Sequence, residues 1–304
     1  MEPKFDLNFI NKISKHCYGV NPSSIKRFHS ENNFIFLLKF KDTKKVIKID
    51  KGQEGWKVDK ELYLFKILKK HEIPVPKIEH FDISKKLIPY DWYIMENLGD
   101  HNLNELFLKK ERDVKNLFFE LGEILAKIHN IKFKEQGLIF AGDIEKKSFY
   151  ASHKQSFDSG IKNLLDHKKI TKREEILLKD AFKDFKDSNE KRLCPDDFAP
   201  WQAIVNKNKI QGIIDLEWAR SSDPIYDLSK TELLMSIWSG NIDIFEKGYR
   251  SINSLPKNYE SLKKTYQIVE VINLMNYFIS NDQTLNKGKK ILLKLLHNSH
   301  IINL

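Results

Sequence analysis

Two periodicities divide the chain. In the first ninety-odd residues, Phe34-Ile-Phe-Leu-Leu-Lys-Phe40 and Lys45-Val-Ile-Lys-Ile49 are apolar, β-rich runs, and Asp42 and Thr43 between them suit a hairpin turn. Val58, Leu62, Phe65 and Leu68 then recur at helical spacing as far as Lys70, and Pro74 and Pro76 stop the helix. Trp92-Tyr-Ile-Met95 predicts a further short strand. Beyond Asn97 the helical period takes over. Val114, Leu117, Leu121, Ile124, Leu125 and Ile128 trace an amphipathic helix ending near His129, and a charged helix is predicted from Thr171 to Phe185. Ala203-Ile-Val205 and Ile210 to Leu216 are β-like interruptions. Leu262, Tyr266, Val269, Ile272, Met275 and Ile279 then form one stripe, and Ile291 to Leu296 predicts a last helix. There are no internal repeats and no low-complexity linker. The pattern predicts an α+β, bilobal chain. Residues 1–96 would form a small lobe with an antiparallel sheet plus one helix, and residues 97–304 a larger, mainly helical lobe. The junction falls near Glu96 to Gly99, and a cleft between two such lobes is a natural ligand site.

Composition narrows the functional classes. With 304 residues, 41% of them hydrophobic and 12% aromatic, the chain can bury a core in each lobe. Cys17 and Cys194 are too few for a disulfide framework, which points to a reduced, cytoplasmic setting. Met1 to Lys15 mixes charges with apolar residues, unlike a signal peptide. The most apolar late stretch, Ile268 to Ile279, holds Glu270, Asn273 and Asn276, so no membrane association is expected. The net charge of +10, from 52 basic and 42 acidic residues, comes from lysines scattered along the whole chain. That is the pattern of a solvated surface, and no nucleic-acid partner is expected. His71, His80 and His101 lack zinc-ligand spacing. His129 reads as a helix-terminal imidazole suited to the dipole, and Trp201 and Trp218 as core or pocket wall.

Polar residues inside apolar runs carry the chemistry. Lys48 interrupts Val46-Ile47-Lys48-Ile49, and Glu61 shares a helical face with Phe65 and Leu68. A carboxylate turned inward needs a partner, and Lys48 is suitably placed one strand earlier. Downstream, Leu193-Cys-Pro-Asp-Asp-Phe-Ala-Pro-Trp-Gln-Ala-Ile-Val205 sets Asp197 in a turn, five residues before Gln202. Gly212-Ile-Ile-Asp-Leu-Glu-Trp218 puts Asp215 at a strand end, and Asp223-Pro-Ile-Tyr-Asp-Leu228 enters a helix. Singly, each aspartate reads as a cap or a turn residue. In order, Lys48, Glu61, Asp197, Gln202 and Asp215 supply what phosphoryl transfer needs. These are a phosphate-gripping lysine with its glutamate, a base for the attacking hydroxyl, and an amide oxygen and a carboxylate for Mg²⁺.

From Ser30 to about Lys230 the sequence resembles the aminoglycoside phosphotransferase and choline-kinase-like family of protein-kinase-like folds. The matching segments are Ser30-Glu-Asn-Asn33, Val46 to Ile49, Glu61 with Ile73-Pro-Val-Pro-Lys77, and Tyr93-Ile-Met-Glu-Asn-Leu-Gly99. They continue through Leu121-Gly-Glu-Ile-Leu-Ala-Lys-Ile-His129, the Asp197 loop, Ile214-Asp-Leu-Glu217 and Asp223 to Leu228. The resemblance implies ATP or GTP as donor, with Mg²⁺. Ser30 and Asn33 would lie on the nucleotide loop, Lys48 on the α- and β-phosphates with Glu61 holding it, and backbone groups of Glu96 to Leu98 on the adenine. Gln202 and Asp215 would bind the metal, Asp197 would be the base and Asp227 a brace for its loop. The acceptor implied is a hydroxylated small molecule, in a pocket shaped by Phe149 to Asn189 and the C-terminal helices. Acidic residues there, with Asp158, Asp166 and Glu217 as candidates, would suit a cationic acceptor.

Three departures from the family pattern stand out. Pro195 replaces a histidine two residues before Asp197, Gln202 replaces asparagine, and the nucleotide loop lacks glycine. Proline can stiffen the loop by fixing φ. Glutamine keeps the amide oxygen one methylene further out, while a surface glutamine is its bland reading. Asp196 competes for the base role, although the spacing to Gln202 favours Asp197. Pro195 and Gln202 also motivate the alternative reading, a nucleotide-binding pseudokinase or scaffold without turnover.

Overall fold

In the computed structural model, which describes residues 5–297 apart from 31, 53–54 and 111–112, the elements are, in chain order, α1 (Asn8–Tyr18), β1 (Ser24–Phe28), β2 (Asn33–Lys39), β3 (Lys44–Asp50), α2 (Trp56–Lys70), β4 (Ile78–Asp82), β5 (Trp92–Glu96), β6 (His101–Asn102), α3 (Leu103–Lys109), α4 (Lys115–His129), β7 (Gly137–Phe140), β8 (Asp143–Lys146), α5 (Phe149–Asp166), α6 (Lys172–Phe182), β9 (Arg192–Cys194), β10 (Ala203–Asn206), β11 (Lys209–Ile213), β12 (Arg220–Ser222), α7 (Pro224–Trp238), α8 (Ile242–Arg250), α9 (Tyr259–Tyr277) and α10 (Asp282–His297). The chain divides into two compact units. The first comprises Met1–Leu106, Phe140–Asp143 and Trp201–Glu217, and the second Phe107–Ile139, Ile144–Pro200 and Trp218–Leu304.

The first unit is built on an antiparallel sheet in the order β1-β2-β3-β5-β4. The two-residue period of a strand sorts its side chains. Phe34, Phe36 and Leu38 of β2 with Ile47 and Ile49 of β3 bury against Ile10 and Ile13 of α1. Val46 and Lys48, in the alternate positions of β3, take the other face. Phe65 of α2 meets Tyr93 of β5, with ring centroids 6.2 Å apart. The turn after β2 closes through Phe40, whose N–H donates to the Thr43 carbonyl at 2.8 Å. The sequence pattern predicts one helix here, and the structure adds α1. Its buried stripe is only Ile10, Ser14 and Ile13, too sparse to show as a period amid charged neighbours. A smaller sheet, β11-β10-β6, completes the unit. The strand expected over Ile210 to Leu216 ends at Ile213, because Asp215 adopts a left-handed conformation with φ of 66°.

The second unit is mainly helical. It holds a four-stranded sheet in the order β8-β7-β12-β9. Helix α4 meets α8 backbone to backbone. A Cβ on Gly122 would fall 2.0 Å from the Phe245 carbonyl oxygen, and one on Gly248 2.0 Å from that of Phe119. No side chain larger than hydrogen fits either position without moving the helices apart. The main core gathers α5, α6, α7, α9 and α10 around Phe157, Leu164, Leu178, Val269, Ile272 and Leu292. The predicted stripe on α9 faces this core. Helix α6 starts at a Thr171–Glu174 capping box and ends at Phe182 rather than Phe185. Phe185 is instead buried in a stack with Phe149 and Phe182. Asp223 caps α7 by accepting from the Ile225 and Tyr226 N–H groups, with Pro224 in the first turn. Among the described residues no helix is long and apolar enough to cross a membrane.

One buried acid makes this unit's stability depend on pH. Glu232 of α7 is 2% exposed, accepts from the Tyr259 hydroxyl at 2.7 Å and lies 3.3 Å from Lys263 Nζ. Burial outweighs both partners and raises its carboxyl from 4.5 to about 7. The folded state therefore holds this proton more tightly than the unfolded chain. Its contribution is full below pH 4.5 and is lost as pH rises to about 7, a change of up to about 3 kcal/mol. Measured by thermal unfolding, the midpoint of Glu232→Gln should gain on that of wild type between pH 5 and pH 8. A difference independent of pH would contradict this.

Candidate active site

In the first unit one ammonium is surrounded by three carboxylates. Lys48 Nζ lies 2.7 Å from Glu61 Oε2, 2.8 Å from Asp215 Oδ1 and 3.3 Å from Glu217 Oε2. Strand alternation turns Lys48 toward α2, and helical spacing places Glu61 on the face that receives it. Glu61 is fixed further by the Tyr93 hydroxyl at 3.2 Å and the Leu216 N–H at 3.0 Å. Glu217 Oε2 also accepts from Asn33 Nδ2 at 3.0 Å, which ties the start of β2 to the segment after β11. Lys48, Glu61 and Glu217 are almost wholly buried, whereas the Asp215 side chain is 41% exposed. Burial alone would lower the Lys48 ammonium, yet Asp215 and Glu61 hold it well above its ordinary value. Burial likewise raises the Glu61 carboxyl against the pull of Lys48.

The donor set suits a divalent cation. One ammonium against three carboxylates leaves two excess negative charges, where hard oxygen ligands and low solvation favour a doubly charged ion. Asp215 offers its exposed carboxylate. Gln202, on the turn Pro200–Gln202, is 1% exposed and donates from its side-chain Nε2 to the Asp215 main-chain carbonyl at 3.0 Å, while the Gln202 main-chain carbonyl accepts from the Ile214 N–H at 3.0 Å. The amide nitrogen is thereby committed, and the oxygen is the end that a metal would meet. The buried position of Gln202 replaces the surface reading of this residue.

The remaining expected nucleotide residues also lie in this unit. The Ser30 hydroxyl accepts from the Asn33 N–H at 3.3 Å, and the Ser30 carbonyl accepts from Lys51 Nζ at 2.8 Å. Glu31, between them in sequence, lies outside the described residues. Glu96 ends β5, where its N–H donates to the Lys77 carbonyl at 3.0 Å and its carboxylate accepts from the Lys77 N–H at 2.7 Å. Leu98 follows, with its Cδ1 so close to Gly212 that a Cβ there would fall 2.5 Å away.

Asp197 belongs to the second unit, in the loop after β9. The loop is held by its neighbour. The Asp196 N–H donates to Asp227 Oδ1 at 2.7 Å, with Asp196 in a left-handed conformation of φ 71°. Asp227 Oδ2 in turn meets His129 Nε2 at 3.0 Å, and His129 Nδ1 meets the Tyr249 hydroxyl at 2.9 Å. His129 is 1% exposed, so it is a buried link in the brace and not a solvated helix end. His129, Cys194 and Asp227 bring possible ligand atoms within 4.8 Å of one another. Both His129 nitrogens already serve the brace, which accounts for the grouping. The Asp196 carboxylate faces two cations, Arg220 at 3.5 Å and Lys230 at 3.6 Å.

The structure therefore gathers Lys48, Glu61, Gln202, Asp215 and Asn33 in one unit and places Asp197 with Asp196 and Asp227 in the other. Sequence reasoning missed the roles of Tyr93, Arg220 and Lys230. Tyr93 alternates with the apolar Trp92 and Ile94 and carries only the weak signal of a hydroxyl inside a strand. Lys230 looks like any other lysine, although it sits one helical turn beyond Asp227.

Comparison with known proteins bears on the family and the fold. The profile described as the phosphotransferase enzyme family matches residues 24–252. No curated protein matches the sequence. Among solved structures, the chain is similar to a thermostable mutant of aminoglycoside phosphotransferase APH(4)-Ia in ternary complex with ADP and hygromycin B. The identity is 11% and the TM-score 0.72, covering 96% of this chain and 99% of that one. It is similar to APH(2")-IIIa in complex with GDP and kanamycin, at 14% identity and a TM-score of 0.74 over 97% and 100%. A putative aminoglycoside phosphotransferase from Ralstonia eutropha JMP134 matches at 14% identity and a TM-score of 0.66 over 96% and 97%. At these identities the likeness is one of fold, the α+β kinase-like fold.

Proposed function

The chain belongs to the phosphotransferase enzyme family, and from that premise we propose that it moves the γ-phosphoryl group of ATP to a hydroxyl of a small molecule. The observation that carries this reading is the set of three carboxylates around Lys48. A lysine held this way is charged, oriented and ready to meet phosphate oxygens. The nucleotide side is assigned to residues 1–96 with Gln202 and Asp215, and the base and acceptor side to the rest of 97–304. Solved relatives in fold that hold ADP with hygromycin B, or GDP with kanamycin, support a nucleotide donor and a polyhydroxylated acceptor.

Each residue then has a chemical task. Lys48 neutralises the α- and β-phosphates, and Glu61 keeps its ammonium turned toward them. Backbone groups of Glu96 to Leu98 hold the base, and Ser30 and Asn33 shape the nucleotide loop. Asp215 and Gln202 would hold Mg²⁺, with Glu217 adjacent, and the ion would screen charge on the phosphoryl group. Asp197 orients the acceptor hydroxyl and takes its proton. Asp196 is the weaker candidate for that task, because its carboxylate already serves Arg220 and Lys230. Asp227 and His129 keep the loop in place. Cysteines without a disulfide partner suit a cytoplasmic enzyme.

The test is ADP formation from MgATP with and without a panel of sugars, amino sugars, amino alcohols and antibiotics. Acceptor-stimulated turnover is expected. Magnesium-dependent ATP binding with no stimulation by any acceptor would favour a pseudokinase.

A further inference from the structure

The charges around the Asp197 loop bear on what the acceptor is. A base must touch the hydroxyl that it deprotonates, so groups beside Asp197 lie next to the bound acceptor. Recognition of a polyamine in that position needs carboxylates with charge to spare. Here the neighbouring carboxylates are neutralised from within. Asp196, with its side chain 16% exposed, lies between Arg220 and Lys230. Glu270 of α9, 9% exposed, lies 3.3 Å from Lys230 and accepts hydrogen bonds from the Tyr226 hydroxyl and from Asn273 Nδ2. Asp223 is committed to the α7 cap and Asp227 to the loop brace. Facing them, Arg220 and Lys230 are themselves only 27% and 20% exposed. His153 is held neutral by its burial, with its Nδ1 on the Phe149 carbonyl at 2.7 Å, and adds no charge.

The flanking segment agrees. The region Phe149 to Asn189, expected to shape the acceptor pocket, carries nine lysines and arginines against seven acidic residues. Two of its acids are also engaged, Asp158 with Lys154, and Glu175 with Lys172 and Lys179. The chain as a whole is at +10, a field that repels polycations.

We propose that the acceptor is a hydroxyl compound without ammonium groups, and that Arg220 and Lys230 act as specificity-determining residues by neutralising Asp196 and Glu270. The proposal rests on Asp197 being the base. It reverses the cationic acceptor that acidic residues in this part of the sequence suggest.

The test uses the full chain with MgADP and a binding readout, so that it does not depend on turnover. Kanamycin and a neutral oligosaccharide of similar size are titrated by calorimetry at low salt into wild type, Lys230→Met and Arg220→Gln/Lys230→Met. Wild type should bind kanamycin no better than the neutral compound. Each cation removed should tighten kanamycin about tenfold and leave the neutral compound unchanged. Preferential binding of kanamycin by wild type would overturn the proposal, and so would folded variants with unchanged kanamycin affinity. Should the variants fail to fold, the wild-type comparison decides alone. Absence of ADP formation with every acceptor would count against the phosphotransfer reading, and leaves this binding comparison intact.

Discussion

Asp197→Asn should lower the turnover number by about 10²- to 10⁴-fold, the range for loss of a positioned general base, while nucleotide affinity stays within about threefold. The separation of the two effects follows from location. Lys48, Glu61, Gln202 and Asp215, the residues assigned to nucleotide and metal, are joined to one another by hydrogen bonds. The loop that carries Asp197 is fixed through the backbone of Asp196 on Asp227, which the substitution leaves untouched. Asparagine keeps the shape and loses the proton acceptor. Asp196→Asn is the control. It weakens the pairing with Arg220 and Lys230 but leaves the assigned base in place, so its effect on turnover should be far smaller. Steady-state rates and nucleotide titrations on the two variants settle which aspartate is the base. Equal loss in both, or loss in Asp196→Asn alone, would reverse the assignment.

Lys48→Met should be the most destabilising single change in the first unit. It removes the cation that pairs with Glu61, Asp215 and Glu217. Breaking a buried pair by deleting one partner costs about 3–5 kcal/mol, because an uncompensated charge stays buried. Burial already raises the Glu61 carboxyl with Lys48 present, and without it the acids must take up protons to remain inside. The sign follows. A carboxyl raised in the folded state stabilises at low pH, and that contribution is lost as pH rises through its folded value. The deficit of Lys48→Met relative to wild type should therefore be larger at pH 8 than at pH 5. Mg²⁺ should recover part of it at pH 8 by supplying positive charge to the same carboxylates. Thermal unfolding at both pH values, with and without Mg²⁺, checks this. A deficit that ignores both pH and Mg²⁺ would show that the three carboxylates do not act as one site.

The parts legible in the sequence were those where chemistry conflicts with pattern. A lysine in the apolar run of β3 and a glutamate on the apolar face of α2 each require a partner, and each is the other's. Long amphipathic helices such as α4 and α9 were equally plain, because 15 and 19 residues repeat the period several times. Short elements were not. Strands β6, β9 and β12 have two or three residues each and are set by pairing across the fold, with no period of their own. Asp215 misled the strand boundary, since a left-handed aspartate leaves no mark in the apolar run before it. His129 and Lys230 were invisible as functional neighbours for another reason. Their partners Asp227, Asp196 and Glu270 lie 98, 34 and 40 residues away, and local pattern carries no information about such contacts.

The most direct test of phosphotransferase action is a single-turnover reaction with ATP labelled at the γ-phosphate, followed by phosphorus NMR in the presence of a polyhydroxylated acceptor panel and Mg²⁺. One phosphomonoester on an acceptor hydroxyl should form for each ADP, and none with Asp197→Asn on the same timescale. Label recovered only as inorganic phosphate, or ATP left unconsumed with every acceptor, would contradict it.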